Sequence, residues 1–133
     1  VGFVLDASVS ACWALDDENH PIADAALDRT DYDGMFVPSV WWFEVRNLLL
    51  MAERRQRSTP LKISAFLAQL QRLDLVVDQS PEGDEVLAIA RRHRLTIYDA
   101  SYLELAMRLG LPLASLDRKL AAAAQNEGVR LIG

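Results

Sequence analysis

The sequence predicts an α/β protein in which a short parallel sheet is covered by helices on both faces. Three observations carry that prediction. Short apolar runs, among them Gly2–Leu5, Met35–Val37 and Pro112–Ala114, alternate with longer segments whose apolar residues recur at helical spacing. The runs are apolar throughout instead of alternating with polar residues, as strands buried on both faces require. The chain has 133 residues, 51% of them hydrophobic, enough for one core, so it is read as a single domain spanning 1–133.

The elements follow in order. Gly2–Leu5 is a buried strand ending at Asp6, and Asp6 or Ser8 can cap a helix running through Leu15. The run Val1–Leu15 lacks a basic leading segment and is interrupted by Asp6, which fits a strand and helix better than a signal peptide. A polar break from Asp16 leads to Pro21, which opens a helix to about Arg29. Asp31–Gly34 is turn chemistry, and Met35–Val37 is a second strand closed by Pro38. Ser39 is placed to cap a long helix over Val40–Arg55. Thr59-Pro60 starts another, with Ile63, Phe66, Leu67, Leu70 and Leu73 on its stripe, and Leu75–Val77 is the third strand. Pro81 opens a helix to His93; Leu95–Ile97 reads as brief extended chain; Asp99 begins a helix stopped by Gly110. Pro112–Ala114 is the fourth strand, Asp117 begins a helix through Gln125, and Val129–Ile132 is the last strand.

Bulk properties narrow the function classes. The single cysteine, Cys12, lies in an apolar run, excludes an internal disulfide, and fits a reducing cytoplasm as a buried packing residue. No stretch reaches the length and apolarity of a membrane span. The net charge of −5 is unevenly spread: residues 1–45 carry nine acids and one base, whereas residues 46–133 carry thirteen bases and ten acids. An acidic total with basic clusters (Arg46, Arg54, Arg55, Arg57 and Lys62; Arg91, Arg92 and Arg94) is compatible with a cation-binding centre rimmed by phosphate-binding residues, and equally with solvated helix faces.

Four acids stand where chemistry is expected. Ligands of an open parallel sheet bind beyond the carboxyl ends of its strands, and Asp6 and Asp117 follow the first and fourth strands. Asp99 lies at a helix start, where the dipole favours a carboxylate. Glu44 is flanked by Trp41, Trp42, Phe43 and Val45, an apolar setting in which a charge needs compensation. A hard divalent cation would supply it. His20 and His93 have no partner at zinc-ligand spacing. Each acid alone also fits a duller role: Asp6, Asp99 and Asp117 as caps, Glu44 as a surface residue or a partner of Arg46 or Arg54.

Taken together, these residues resemble the PIN-domain nucleases, and within them the VapC-type toxins of toxin–antitoxin pairs. Asp6-Ala-Ser8 after the first strand, Pro38 followed by Glu44-Val-Arg-Asn47, Tyr98-Asp99-Ala-Ser-Tyr102-Leu103, and Leu113-Ala-Ser115-Leu-Asp117 occur in the family's order and span the chain, with Ser115 where threonine is more usual. The resemblance implies a PIN-like three-layer sandwich and a Mg²⁺- or Mn²⁺-dependent endoribonuclease. Asp6, Glu44, Asp99 and Asp117 would form its carboxylate centre, and Ser8, Asn47 and Ser115 would hydrogen-bond that centre and fix its geometry. It also implies cleavage by activated water leaving 5′-phosphate and 3′-hydroxyl ends, a homodimer, and a cognate antitoxin that blocks the site.

Arg46 and Arg118, adjacent to site residues in sequence, are the candidates for holding the RNA backbone. Of the rings Trp41, Trp42 and Phe43, core packing is expected to take about two and a partner surface the other, because adjacent helical residues point apart. Two alternatives to the toxin reading are a PIN nuclease of RNA processing or decay without an antitoxin, and a catalytically inactive interaction module. An aspartyl phosphatase wants a second aspartate where Ser8 stands.

Overall fold

The computed structural model describes residues 1–15 and 17–133. Asp16, part of the predicted polar break, lies outside the described residues. In chain order the elements are β1 (Gly2–Leu5), α1 (Ala7–Ala14), α2 (Pro21–Arg29), β2 (Gly34–Pro38), α3 (Val40–Arg54), α4 (Pro60–Leu70), β3 (Leu75–Asp78), α5 (Gly83–His93), α6 (Ile97–Leu109), β4 (Leu113–Ala114) and α7 (Arg118–Asn126). The strands form one parallel sheet in the order β3-β2-β1-β4.

β1 is central and buried at all four positions, which explains its unbroken apolar sequence. Helix α6 packs across β1, β2 and β4, with α5 and α7 against it. Helices α1, α2 and α3 pack on one another and reach the sheet through α2 on β4 and α3 on β2. Phe3, Leu5, Met35, Leu49, Ile89, Leu103, Leu105 and Leu113 fill the space between these layers. No helix among the described residues is long and apolar enough to cross a membrane, and Cys12 is buried as expected.

Five local predictions are corrected. Leu95–Ile97 is extended at Thr96 but runs into α6 at Ile97. Arg94 ends α5 in the left-handed region (φ 56°), and Thr96 already caps α6, its Oγ1 accepting from the Asp99 amide at 3.1 Å, so only three residues separate the helices. Asp99 is therefore inside the first turn and not the cap. The last strand shrinks to one parallel bridge, Leu113 with Leu131, because the chain leaves α7 through Gly128 (φ 78°) and closes only the Leu113 backbone groups. The α5 helix begins at Gly83, two residues beyond Pro81. Ser39 precedes α3 in helical geometry without a side-chain cap bond. Other end signals hold: Pro21 and Pro60 sit in the first turns of α2 and α4, and Gly110 ends α6 at φ 67°, a conformation glycine adopts without strain.

Candidate active site

The site is built at the carboxyl edge of β1 and β4. Leu5 and Ala114 are register partners, and the Asp6 amide donates to the Ala114 carbonyl at 3.0 Å. The next residue of each strand, Asp6 and Ser115, must then lie side by side, and Ser115 Oγ donates to Asp6 Oδ2 at 2.7 Å. Asp6 is the N-cap residue of α1 but makes no side-chain cap bond. Its carboxylate is turned instead to Ser115 and to Ser8, whose Oγ donates to the same Oδ2 at 2.8 Å.

Both hydroxyls have a second task. Ser8 Oγ accepts from the Leu116 amide (3.1 Å) and Ser115 Oγ from the Asp117 amide (3.0 Å), so the β4–α7 connection is tied to the start of α1. Asp117 in turn caps α7, with Oδ1 accepting from the Lys119 and Leu120 amides at 2.9 and 3.1 Å.

Glu44 projects from the second turn of α3 and is half-buried. Its Oε1 accepts from the Tyr102 hydroxyl at 2.6 Å, and the Tyr102 ring is fully buried in the core. This α6-to-α3 contact is one that sequence reasoning did not extract, although Tyr102 lies in the third motif. Lys119 is a second unforeseen contributor: its Nζ is anchored on the Arg94 carbonyl at 2.6 Å, and its charge favours ionised Asp99.

The electrostatics are those of crowded anions. Burial raises the Asp6 carboxyl above its ordinary range; the two serines oppose that, and Asp99 and Asp117 add to it. Burial likewise raises Glu44, with the Tyr102 bond opposing and Asp6 and Asp99 adding. Asp99 is raised by burial and by Asp117, against Thr96 and Lys119. Asp6, Glu44 and Asp99 are thus each raised by a neighbouring acid as well as by burial. Tyr102, buried and facing Glu44, is held far above its usual range and stays a donor.

The donor set suits a hard divalent cation. Asp6, Glu44 and Asp117 each have one oxygen engaged by protein donors and the other with no hydrogen-bond partner among the described residues. Among the described residues no buried side-chain oxygen lacks a partner, so Asp6 Oδ1 is the atom of that carboxylate that meets solvent. Among the described residues no three His, Cys, Asp or Glu side chains close directly on one metal position. What the residues present offer such an ion is the chemistry of the set, carboxylate oxygens alone, the ligand type that hard cations take.

The remaining predicted residues lie farther out in role. Asn47 is exposed and shares a cavity with Glu44, but among the described residues it makes no hydrogen bond to the carboxylates. The Arg46 guanidinium is stacked on Trp42, 3.6 Å from the ring centroid, and donates to the Trp42 carbonyl. Arg118 is exposed on the first turn of α7. Only Trp41 of the three rings is in the core, with Nε1 donating to Ser10 Oγ at 2.9 Å; Trp42 and Phe43 are exposed, so the core takes one ring and not two.

A parallel sheet carrying acids at its carboxyl edge, in this order along the chain, is the arrangement of a PIN domain. The chain belongs to the PIN-domain family, whose profile matches residues 3–126. Over 121 residues it is 28% identical to Ribonuclease VapC3 of Pyrobaculum aerophilum, a match covering 89% of this chain and 91% of that protein. The crystal structure of PAE2754 from the same organism is similar at TM-score 0.74 and 27% identity, covering 99% of this chain and 91% of that one. VapC20 of Mycobacterium tuberculosis, a Sarcin-Ricin loop cleaving toxin, shares the fold at TM-score 0.64 and 14% identity, covering 91% of this chain and 94% of that one. The resemblance read from the four motifs, to VapC-type PIN ribonucleases, is thereby borne out.

Proposed function

We propose that the protein is a Mg²⁺- or Mn²⁺-dependent endoribonuclease of the VapC type, working as the toxin of a toxin–antitoxin pair. The observation that carries this reading is the set of carboxylates held by one oxygen and open at the other, close enough that neighbouring charges raise Asp6 and Glu44. Such a set is costly unless a cation occupies it. A relative named as a ribonuclease and a structural neighbour named as a toxin support RNA as the substrate.

Asp6, Glu44 and Asp99 would hold the cation, with Asp117 as the fourth carboxylate. Bound there, a divalent ion supplies an acidified water and offsets charge on the phosphate being cleaved. The protein's own groups do the rest. Ser8 and Ser115 fix the Asp6 rotamer so that Oδ1 faces the site, and Tyr102 does the same for Glu44. Lys119 favours ionised Asp99 against the burial and the Asp117 charge that raise it. Arg118, exposed next to Asp117, is the nearer candidate for a backbone phosphate; Arg46, committed to Trp42, is the weaker one. No side-chain nucleophile is required. A homodimer and an antitoxin that covers the carboxylates complete the reading.

The test is cleavage of RNA by the purified protein with Mg²⁺, Mn²⁺ or EDTA present, with Asp6→Asn as control. Cleavage restricted to the metal-containing reactions of the wild type is expected; equal cleavage in EDTA overturns the reading.

A further inference from the structure

Beside the carboxylates is an open cavity of about 480 Å³ lined by Val40, Phe43, Glu44, Asn47 and Tyr98. Phe43 is 70% exposed and Tyr98 59% exposed, so two aromatic rings stand in water on either side of one space. Among the described residues neither ring is covered, and the ring contact of Phe43 is edge-on with Trp42, centroids 5.1 Å apart. Phe43 and Asn47 are four residues apart on α3 and share a face of that helix. Tyr98 approaches from the first turn of α6, one residue before Asp99. The Asn47 amide, exposed and without a protein partner among the described residues, offers both a donor pair and an acceptor.

We propose that this cavity holds one unpaired base of the RNA substrate next to the phosphate that is cut, with Tyr98 and Phe43 against its face and Asn47 against its edge. The inference rests on the ribonuclease reading and deepens it. Three features favour a base over other occupants. The cavity shares Glu44 with the carboxylate set, so its occupant adjoins the proposed cleavage site. Its wall carries no Lys or Arg, which argues against a phosphate subsite. Its chemistry, two apolar rings and one carboxamide, matches a flat π surface with a hydrogen-bonding rim. Asn47, which does not brace the carboxylates, gains a role as the reader of base identity. Val40 and Tyr98 also line a neighbouring cavity of about 300 Å³ towards Pro81 and Ile97, giving the RNA chain room to continue past the ring.

The test is fluorescence-anisotropy titration of fluorescein-labelled ten-residue oligo-A, oligo-U and oligo-C RNA in EDTA, over a series of salt concentrations. The proteins compared are the wild type, Phe43→Ala, Tyr98→Ala, Tyr98→Phe and Asn47→Ala, each checked for folding by thermal melting. Loss of one stacking ring is expected to weaken binding about 5- to 150-fold. Tyr98→Phe keeps the ring and the affinity. The salt dependence keeps its slope, because no phosphate contact is removed, and Asn47→Ala changes the ratio of affinities among the three oligonucleotides. Wild-type affinity in both alanine variants overturns the inference, and overturns it in favour of a second copy of the chain if sedimentation shows that they have lost a dimer. If the wild type binds none of the three RNAs and cuts none with Mg²⁺ or Mn²⁺, the ribonuclease reading falls and the base pocket with it; if it cuts RNA with metal but binds none of the three, or binds them and the variants bind equally, the pocket alone falls.

Discussion

Ser115→Ala isolates the device that orients Asp6. The substitution removes a 2.7 Å bond to Asp6 Oδ2 and the acceptor of the Asp117 amide at 3.0 Å. A hydrogen bond to a charged group is worth about 1.5–3 kcal/mol, and Asp6 is only 6% exposed, so water replaces little of it. At neutral pH in EDTA the variant should lose about 2 kcal/mol, a fall in Tm of roughly 5–10 °C for a chain of this size. The sign of the pH dependence is specific. Ser115 lowers a carboxyl that burial has raised, so its removal raises the folded-state Asp6 further. The cost of the substitution is full above the raised Asp6 value and shrinks as pH falls through it, since a protonated Asp6 no longer needs a donor to its charge. Urea unfolding of wild type and variant from pH 4 to 8 measures this directly. A cost that stays constant across that range, or one that grows on acidification, would refute the claim that Ser115 acts by stabilising ionised Asp6.

Other consequences are equally open to measurement. Asp6→Asn keeps acceptance from both serines while removing the crowded charge. It should raise Tm in EDTA at pH 7 and lower cleavage by more than about 100-fold, beyond the loss expected for a supporting residue; an unstable but active variant would contradict the account. Tyr102→Phe leaves Glu44 Oε1 without its donor and should cost about 1 kcal/mol in stability, and about 10- to 100-fold in cleavage or metal affinity; isothermal titration with Mn²⁺ and cleavage rates would find either. Lys119→Ala removes the cation that favours ionised Asp99, so the acid limb of the kcat/KM profile should move to higher pH; an unmoved limb would exclude that role. Away from the site, Arg108 is about a quarter exposed and holds Glu104, which is 2% exposed, at 2.7 Å together with Asp78. Arg108→Met should cost about 3 kcal/mol, the low end for orphaning a buried carboxylate, with no change in cleavage specificity.

The parallel sheet was legible because both of its faces are covered, which forces runs such as Phe3-Val-Leu5 to be apolar throughout. The region around Leu95-Thr-Ile97 misled because the tripeptide was read without weighing its caps. Leu95 closes α5 onto the Ala90 carbonyl, and Thr96 opens α6 three residues before Asp99. The four acids could be picked out from strand ends and apolar surroundings, and their serine neighbours from the motifs that carry them. Tyr102 was not, since its bond to Glu44 joins positions 58 apart, and nothing in its own helix distinguishes it from another core aromatic. Asn47 illustrates the opposite error: spacing correctly put it on the helix face of Glu44, but spacing does not say whether a side chain turns to its neighbour or to an empty cavity.

The central claim is that these carboxylates work through a divalent cation and water. Incubation of RNA with the purified protein, followed by mapping of the new ends with and without EDTA, tests it most directly. The account predicts cuts bearing 5′-phosphate and 3′-hydroxyl ends that appear with Mg²⁺ or Mn²⁺ and vanish with EDTA or Asp99→Asn. Undiminished cutting in EDTA, or ends carrying a 2′,3′-cyclic phosphate, would contradict it.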